Sequence, residues 1–231
     1  QLLLTRSLSS VKRLIMKQAS GMTHGHLKRR QTEQSSLYIK MLNLKPHLTG
    51  ARFVDHDTIE RRTHWQASGI IENKPEWDTR TNETIYNQTY NSMACEIGIA
   101  NALPDGMLNE TKFNHKDRST YAWDVKQGNT NFEIKWMSLE SDWYSFMPQV
   151  VDKIVRNYDA GYPDYIVVAT NVASGTGFAV YPRLLINPAS FKEYVTKSKF
   201  SNYKTHYYNH KMAEYDGECQ VYNEGIIKEM K

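Results

Sequence analysis

The pentapeptide Phe132-Glu133-Ile134-Lys135-Trp136 sets a carboxylate and an ammonium two positions apart inside an aromatic and aliphatic frame. In an extended strand successive side chains alternate faces, so Phe132, Ile134 and Trp136 are expected on one face and Glu133 and Lys135 on the other. Upstream stands Asp124, and the Gly128-Asn129 pair between them suits a two-residue hairpin turn with glycine first. That turn sets Lys126 opposite Asn131 and Asp124 opposite Glu133. Directly opposed Cβ atoms lie about 4.5 to 5.5 Å apart, which gathers both carboxylates and Lys135 on one face. Like charges that close repel unless a cation sits between them. A divalent ion that favours hard oxygen ligands, Mg²⁺ with Mn²⁺ as a substitute, meets that need and keeps coordination positions for water and phosphate.

The elements that must hold these groups can be read on either side. From Asn82 to about Leu103, apolar residues recur at Tyr86, Tyr90, Met93, Ile97 and Ala100, the spacing of a helix, and Pro104-Asp105-Gly106 ends it. Glu96 falls at the border of that apolar face. STYAWDVKQ and NFEIKWM read as strands around the turn, PQVVDKIVRNY as an amphipathic helix, and DYIVVATN as a strand buried on both faces. GFAVYPRLLI follows as another strand and PASFKEYVTKS as a helix opening at Asn187 or Pro188. Nearer the front, LYIKMLNL suits a helix, whereas RFVDHDTIERRTHWQASGII fits either strand or helix. The order from residue 82 predicts an α/β fold, a mixed central sheet flanked by helices.

These residues resemble the PD-(D/E)XK nuclease superfamily, the restriction-endonuclease-like fold. Asp124, Glu133 and Lys135 in WDVKQGNTNFEIKW match its motif, with Glu96 in CEIGIANAL as the acidic residue on the preceding helix; Trp123 stands where the name-giving proline often does. The resemblance covers roughly residues 82–184 and implies an αβββαβ core. It divides the chain into a basic N-terminal arm or subdomain (1–81), a nuclease core (82–185) and a C-terminal helical extension packed on that core (186–231). It also implies metal-dependent hydrolysis of phosphodiester bonds, with a DNA endonuclease as the leading reading. Asp124, Glu133 and the Ile134 carbonyl would hold Mg²⁺, Lys135 would position water or stabilise developing charge, and Glu96 would complete the site or hold a second ion. Gln149, opening the next helix, would orient phosphate or water. The rival is a non-catalytic nucleic-acid-binding module on the same fold, which need not keep two carboxylates and a lysine together.

The acid-x-Lys triplet is common by itself: it occurs at Glu72, Glu110, Asp124, Glu133 and Glu229. The closest imitation is PDGMLNETK, in which Asp105, Glu110 and Lys112 spell the motif, but the two acids lie too near in sequence for two strands and a turn. His206 and His210 in THYYNHKM could share a helix face as a metal pair, yet no accompanying carboxylate repeats a metalloprotease pattern. FSNYKTHYYNHK interleaves aromatics with Lys and His, a composition that suits packing or base stacking. Walker, GxSxG and paired CxxC patterns are missing from the sequence.

Charge is uneven along the 231 residues: 1–80 carry 14 Lys/Arg against 7 Asp/Glu, the remainder 15 against 18. No acidic residue precedes Glu33, so this stretch reads as a phosphate-binding arm, a targeting presequence of mitochondrial type, or solvated surface. Lys28, Arg29, Arg30 and Lys126 are the candidate phosphate contacts. The expected partner is nucleic acid, DNA ahead of RNA, with a homodimer as an open assembly and an acidic protein as the alternative target of the arm. The two cysteines, Cys95 and Cys219, are expected as free thiols in an intracellular, cytoplasmic or nucleoid-associated protein with no membrane span. Sequons at Asn82, Asn87 and Asn109 are expected by chance in a chain this rich in Asn, Ser and Thr.

Overall fold

In a computed structural model of the chain, residues 43–141, 163–187, 196–197, 206–207 and 219–231 are described. Helical residues 43–48 bury Leu44 and Leu48 and lead into strand β1 (Arg52–Asp55). The last residue of β1 caps helix α1 (His56–Asn73): the Asp55 carboxylate accepts from the Thr58 N–H at 2.8 Å, satisfying a donor that the helix start leaves open. The stretch that fits strand or helix is therefore both in succession. Helix α2 (Asn82–Ala102) starts at Thr81, whose hydroxyl accepts from the Thr84 N–H at 3.1 Å. Both helices stop for the same reason. Lys74 and Leu103 precede Pro75 and Pro104, and each takes an extended backbone because the proline ring disfavours the helical region before it.

The chain then forms β2 (Gly106–Leu108), a 3₁₀ turn (Arg118–Tyr121), β3 (Val125–Gln127) and β4 (Thr130–Trp136). The expected strand at STYA is corrected to that turn, since the Asp117 carboxylate accepts from the Ser119 N–H and the Thr120 hydroxyl bonds back to the Asp117 carbonyl. The hairpin register is as expected, with Lys126 opposite Asn131 and Val125 opposite Phe132. Strands β5 (Tyr165–Ser174) and β6 (Gly177–Ile186) form a second hairpin. Each turn opens on a glycine with positive φ, Gly128 at 55° and Gly175 at 58°, where a side chain would be strained.

Among the described residues, seven strands make one mixed sheet in the order β1-β6-β5-β4-β3-β2, with β9 (Cys219–Val221) joining β6 beyond the reach of β1. The β4–β5 pair is parallel and all others are antiparallel, so the sheet is α/β with a crossover between residues 137 and 164. Helix α2 lies across this sheet, burying Met93 and Ile97 with Phe132, Ile134, Val167 and Val180. Contact is close at Gly98, where an added Cβ would stand 2.6 Å from that of Val180.

At the C-terminus, helix α3 (Glu224–Met230) buries Ile227, and its Glu224 meets the fully buried Arg183 of β6 at 3.1 Å. Just before it, the Asn223 side chain accepts from the Gly50 N–H and donates to the Leu48 and Pro182 carbonyls, tying three distant stretches together. Residues 196–197 and 206–207 pair as short antiparallel strands, β7 and β8. This corrects the helical reading at the end of PASFKEYVTKS and at the start of the His206-to-His210 segment. The expected helix PQVVDKIVRNY with Gln149, the basic residues Lys28, Arg29 and Arg30, and His210 lie outside the described residues. No helix among those described is long and apolar enough to cross a membrane.

Candidate active site

Strand β4 lies between β3 and β5 at its beginning but outruns β3, whose pairing stops at Val125 opposite Phe132. Two residues depart from a simple two-faced strand. Glu133, one residue past that pairing and beside Ile166 of β5, is fully buried, while Trp136, at the protruding end, is 43% exposed. The Trp136 indole N–H donates to Asn171 Oδ1 at 2.6 Å, and Asn171 donates in turn to Asn91 on α2 at 3.0 Å. The ring is thus held in place at the surface.

Asp124 sits one step before β3. Its N–H donates to the Phe132 carbonyl at 2.9 Å, and its Oδ2 accepts from the Ile134 N–H at 2.7 Å. The carboxylate therefore takes a place in the ladder where a strand carbonyl would otherwise stand. The Trp123 carbonyl is engaged elsewhere, by the Asn109 side chain at 2.9 Å. Lys135 Nζ lies 2.5 Å from Glu133 Oε1, 3.1 Å from the Ile134 carbonyl and 4.0 Å from Asp124 Oδ2. One ammonium is within ion-pairing reach of both carboxylates, and the three oxygens converge on it.

Asp124, Ile134, Lys135 and Trp136 line a cavity of about 560 Å³. Glu96 of α2 lines the same cavity, half-buried at the border of the helix's apolar face. Among the described residues, no three His, Cys, Asp or Glu side chains form a metal-binding group, so Glu96 does not close a three-carboxylate cluster with Asp124 and Glu133. The oxygens gathered around Lys135 are instead those of two carboxylates and a backbone carbonyl. That set fits Mg²⁺, which is commonly held by one or two carboxylates and completed by water and phosphate oxygens.

The sequence candidates thus separate. Asp124, Glu133, Ile134 and Lys135 come together, Glu96 lines the cavity that Asp124 and Lys135 also line, and Lys126 is half-buried in β3 opposite Asn131. The imitation motif is dispersed: Glu110 pairs with Arg62 at 2.6 Å, Lys112 with Glu72 at 2.7 Å, and Asp105 occupies a left-handed turn at φ 53°. Cys95, beside Glu96, is a free, buried thiol whose burial pushes its pKa up. The Asn109 amide is bonded on both of its polar atoms. Cavity residues that spacing did not single out include Arg80 and Gln88; they come from the α1–α2 loop and a helix flank whose convergence no local pattern signals.

A family model described as bacteriophage T4 endonuclease IV matches residues 28–210, and the chain belongs to that family. The protein is accordingly a nuclease, and nucleic acid is its substrate class. No curated protein and no solved structure matches the chain.

Proposed function

We propose that the protein is a metal-dependent DNA endonuclease with a site of PD-(D/E)XK type. The observation that carries the reading is the convergence of Asp124 Oδ2, Glu133 Oε1 and the Ile134 carbonyl on Lys135 Nζ beside the cavity. The order α2, β2, β3, β4, crossover, parallel β5 supports it, because it follows the αβββαβ sequence of that superfamily. Asp124, Glu133 and the Ile134 carbonyl hold Mg²⁺, with Mn²⁺ as a substitute. The bound ion supplies Lewis-acid polarisation of the phosphoryl oxygen and a more acidic water.

The chain's own residues do the rest. Asp124 is fixed by the Ile134 N–H, so its carboxylate keeps its aim without reorganising. Lys135 carries its ammonium on a flexible four-carbon stem, which lets it turn from Glu133 toward a phosphate and offset negative charge that builds on it. Glu96, which lines the same cavity, would complete the site.

Supercoiled circular DNA, linear DNA and RNA, each incubated with Mg²⁺, Mn²⁺ or EDTA, test the proposal. Nicked and linear products from the circle, formed with either metal and suppressed by EDTA, are expected. Cleavage undiminished in EDTA would remove the metal from the account, and cleavage confined to RNA would remove DNA.

A further inference from the structure

The loop between α1 and α2 is built around one arginine. Arg80 donates from Nε and Nη2 to the two carboxylate oxygens of Asp78, at 2.9 and 2.6 Å, and from Nη1 to Gln88 Oε1 on α2, at 2.9 Å. Its backbone is held too: the carbonyl accepts from Lys74 Nζ at 2.8 Å, and the N–H donates to Asp78 Oδ1 at 3.2 Å. The Asp78 side chain is 6% exposed, while that of Arg80 is 41% exposed. Arg80 and Gln88 both line the cavity that holds Asp124, Lys135 and Glu96.

A guanidinium has five N–H donors in a rigid fork. Asp78 and Gln88 engage three of them, which leaves two for a ligand. A pair that served only to close the loop has no need of Gln88, whose contact from the helix fixes the plane of the fork. A planar fork held in advance loses little freedom when it meets an oxyanion, and phosphate is the oxyanion that a nuclease cavity receives.

We propose that Arg80 forms a phosphate subsite, binding a phosphate that flanks the scissile one while Lys135 attends the reacting group. This rests on the reading of Asp124, Glu133 and Lys135 as the cleavage centre. Asp78 and Gln88 are positioning residues: they set the fork and do not touch the substrate.

The test uses the full chain with Arg80→Ala, Arg80→Lys and, as a control, Arg62→Ala, which removes a comparable arginine paired with Glu110 outside the cavity. Cleavage kinetics are measured in the wild-type background. Binding of a fluorescein-labelled DNA oligonucleotide is measured in an Asp124→Asn background across a salt series. Arg80→Ala is expected to raise KM and Kd about 10- to 100-fold, the range for hydrogen bonds to a charged group, with kcat little changed. Its log-log salt slope should fall by up to about 0.9.

Arg80→Lys keeps the charge and loses the fork, so it should retain the slope and still raise Kd. Arg62→Ala should match the parent. The proposal is overturned if a folded Arg80→Ala leaves KM and Kd unchanged, or if Arg62→Ala loses as much. Should Arg80→Ala fail to fold, an unchanged Kd in Arg80→Lys overturns it equally. Cleavage by wild type that is abolished by Asp124→Asn would leave the cleavage centre standing even if Arg80 proved silent. Absence of both cleavage and binding in the wild type would remove both.

Discussion

Lys135 is the internal cation of a site with two carboxylates, and the burial of Glu133 makes it a structural residue as well as a chemical one. Removing one partner of a buried pair strands the other charge, at about 3 to 5 kcal/mol. Lys135→Ala is therefore expected to lower the melting temperature, and Mn²⁺ should raise it more in the variant than in wild type, because the ion takes over the ammonium's oxygens. An equal or smaller Mn²⁺ shift in the variant would mean that metal and lysine do not share ligands. Asp78 gives a second test at this scale. The hydrogen bond from Arg80 holds its carboxyl down at about 2, against an ordinary value of 3.8. A depressed carboxyl contributes stability that is full above its unfolded value and is lost as pH falls through its folded one. The stability gap between wild type and Asp78→Asn should consequently shrink from pH 4 toward pH 2, as followed by urea melts; a gap independent of pH would contradict the pairing.

The α2 helix and the two hairpins are where local rules and the fold agree. Helix periodicity between Thr81 and Pro104 and a glycine opening each tight turn are decided by neighbours in sequence, so they could be read there. The full burial of Glu133 could not, because it depends on β5 running parallel beside β4 after a long crossover. Nor could the exposure of Trp136, which follows from β3 stopping short of it. Counting through the turn sets Asp124 opposite Glu133, and that register holds as far as Val125. The exchange of a strand carbonyl for its carboxylate is a tertiary detail that counting misses. Helix-to-sheet packing yields a prediction of its own. Gly98→Ala would improve helix propensity by about 1 kcal/mol, but its Cβ would meet the branched Val180 side chain at 2.6 Å. Overpacking of this kind costs about 1 to 3 kcal/mol, so urea denaturation should show a net loss, and Val180→Ala should restore part of it. A more stable Gly98→Ala would show that helix and sheet do not approach so closely.

Across the whole molecule, the excess of positive charge and the proposed cleavage centre lie in different stretches of the sequence. The excess of Lys and Arg lies in the first 80 residues, whereas the cavity wall carries Asp124 and Glu96 beside Lys135 and Arg80. On the proposed reading, long-range attraction belongs to the basic front and short-range positioning to the cavity. Changing Lys28, Arg29 and Arg30 together to Ala should lower the salt slope for duplex DNA by up to about 2.7, at about 0.9 per phosphate contact, with little effect on kcat. A slope that stays put would remove this cluster from the interface. The account as a whole stands on FEIKW rather than PDGMLNETK carrying the chemistry. The most direct measurement is the DNA cleavage rate of Lys135→Ala beside Lys112→Ala, with melting in Mn²⁺ showing that both chains are folded. Loss of an electrostatic stabiliser of the reacting phosphate predicts a fall of about 10² to 10³ for Lys135→Ala, with Lys112→Ala close to wild type. A Lys135→Ala protein that cuts normally while Lys112→Ala is inactive would contradict it.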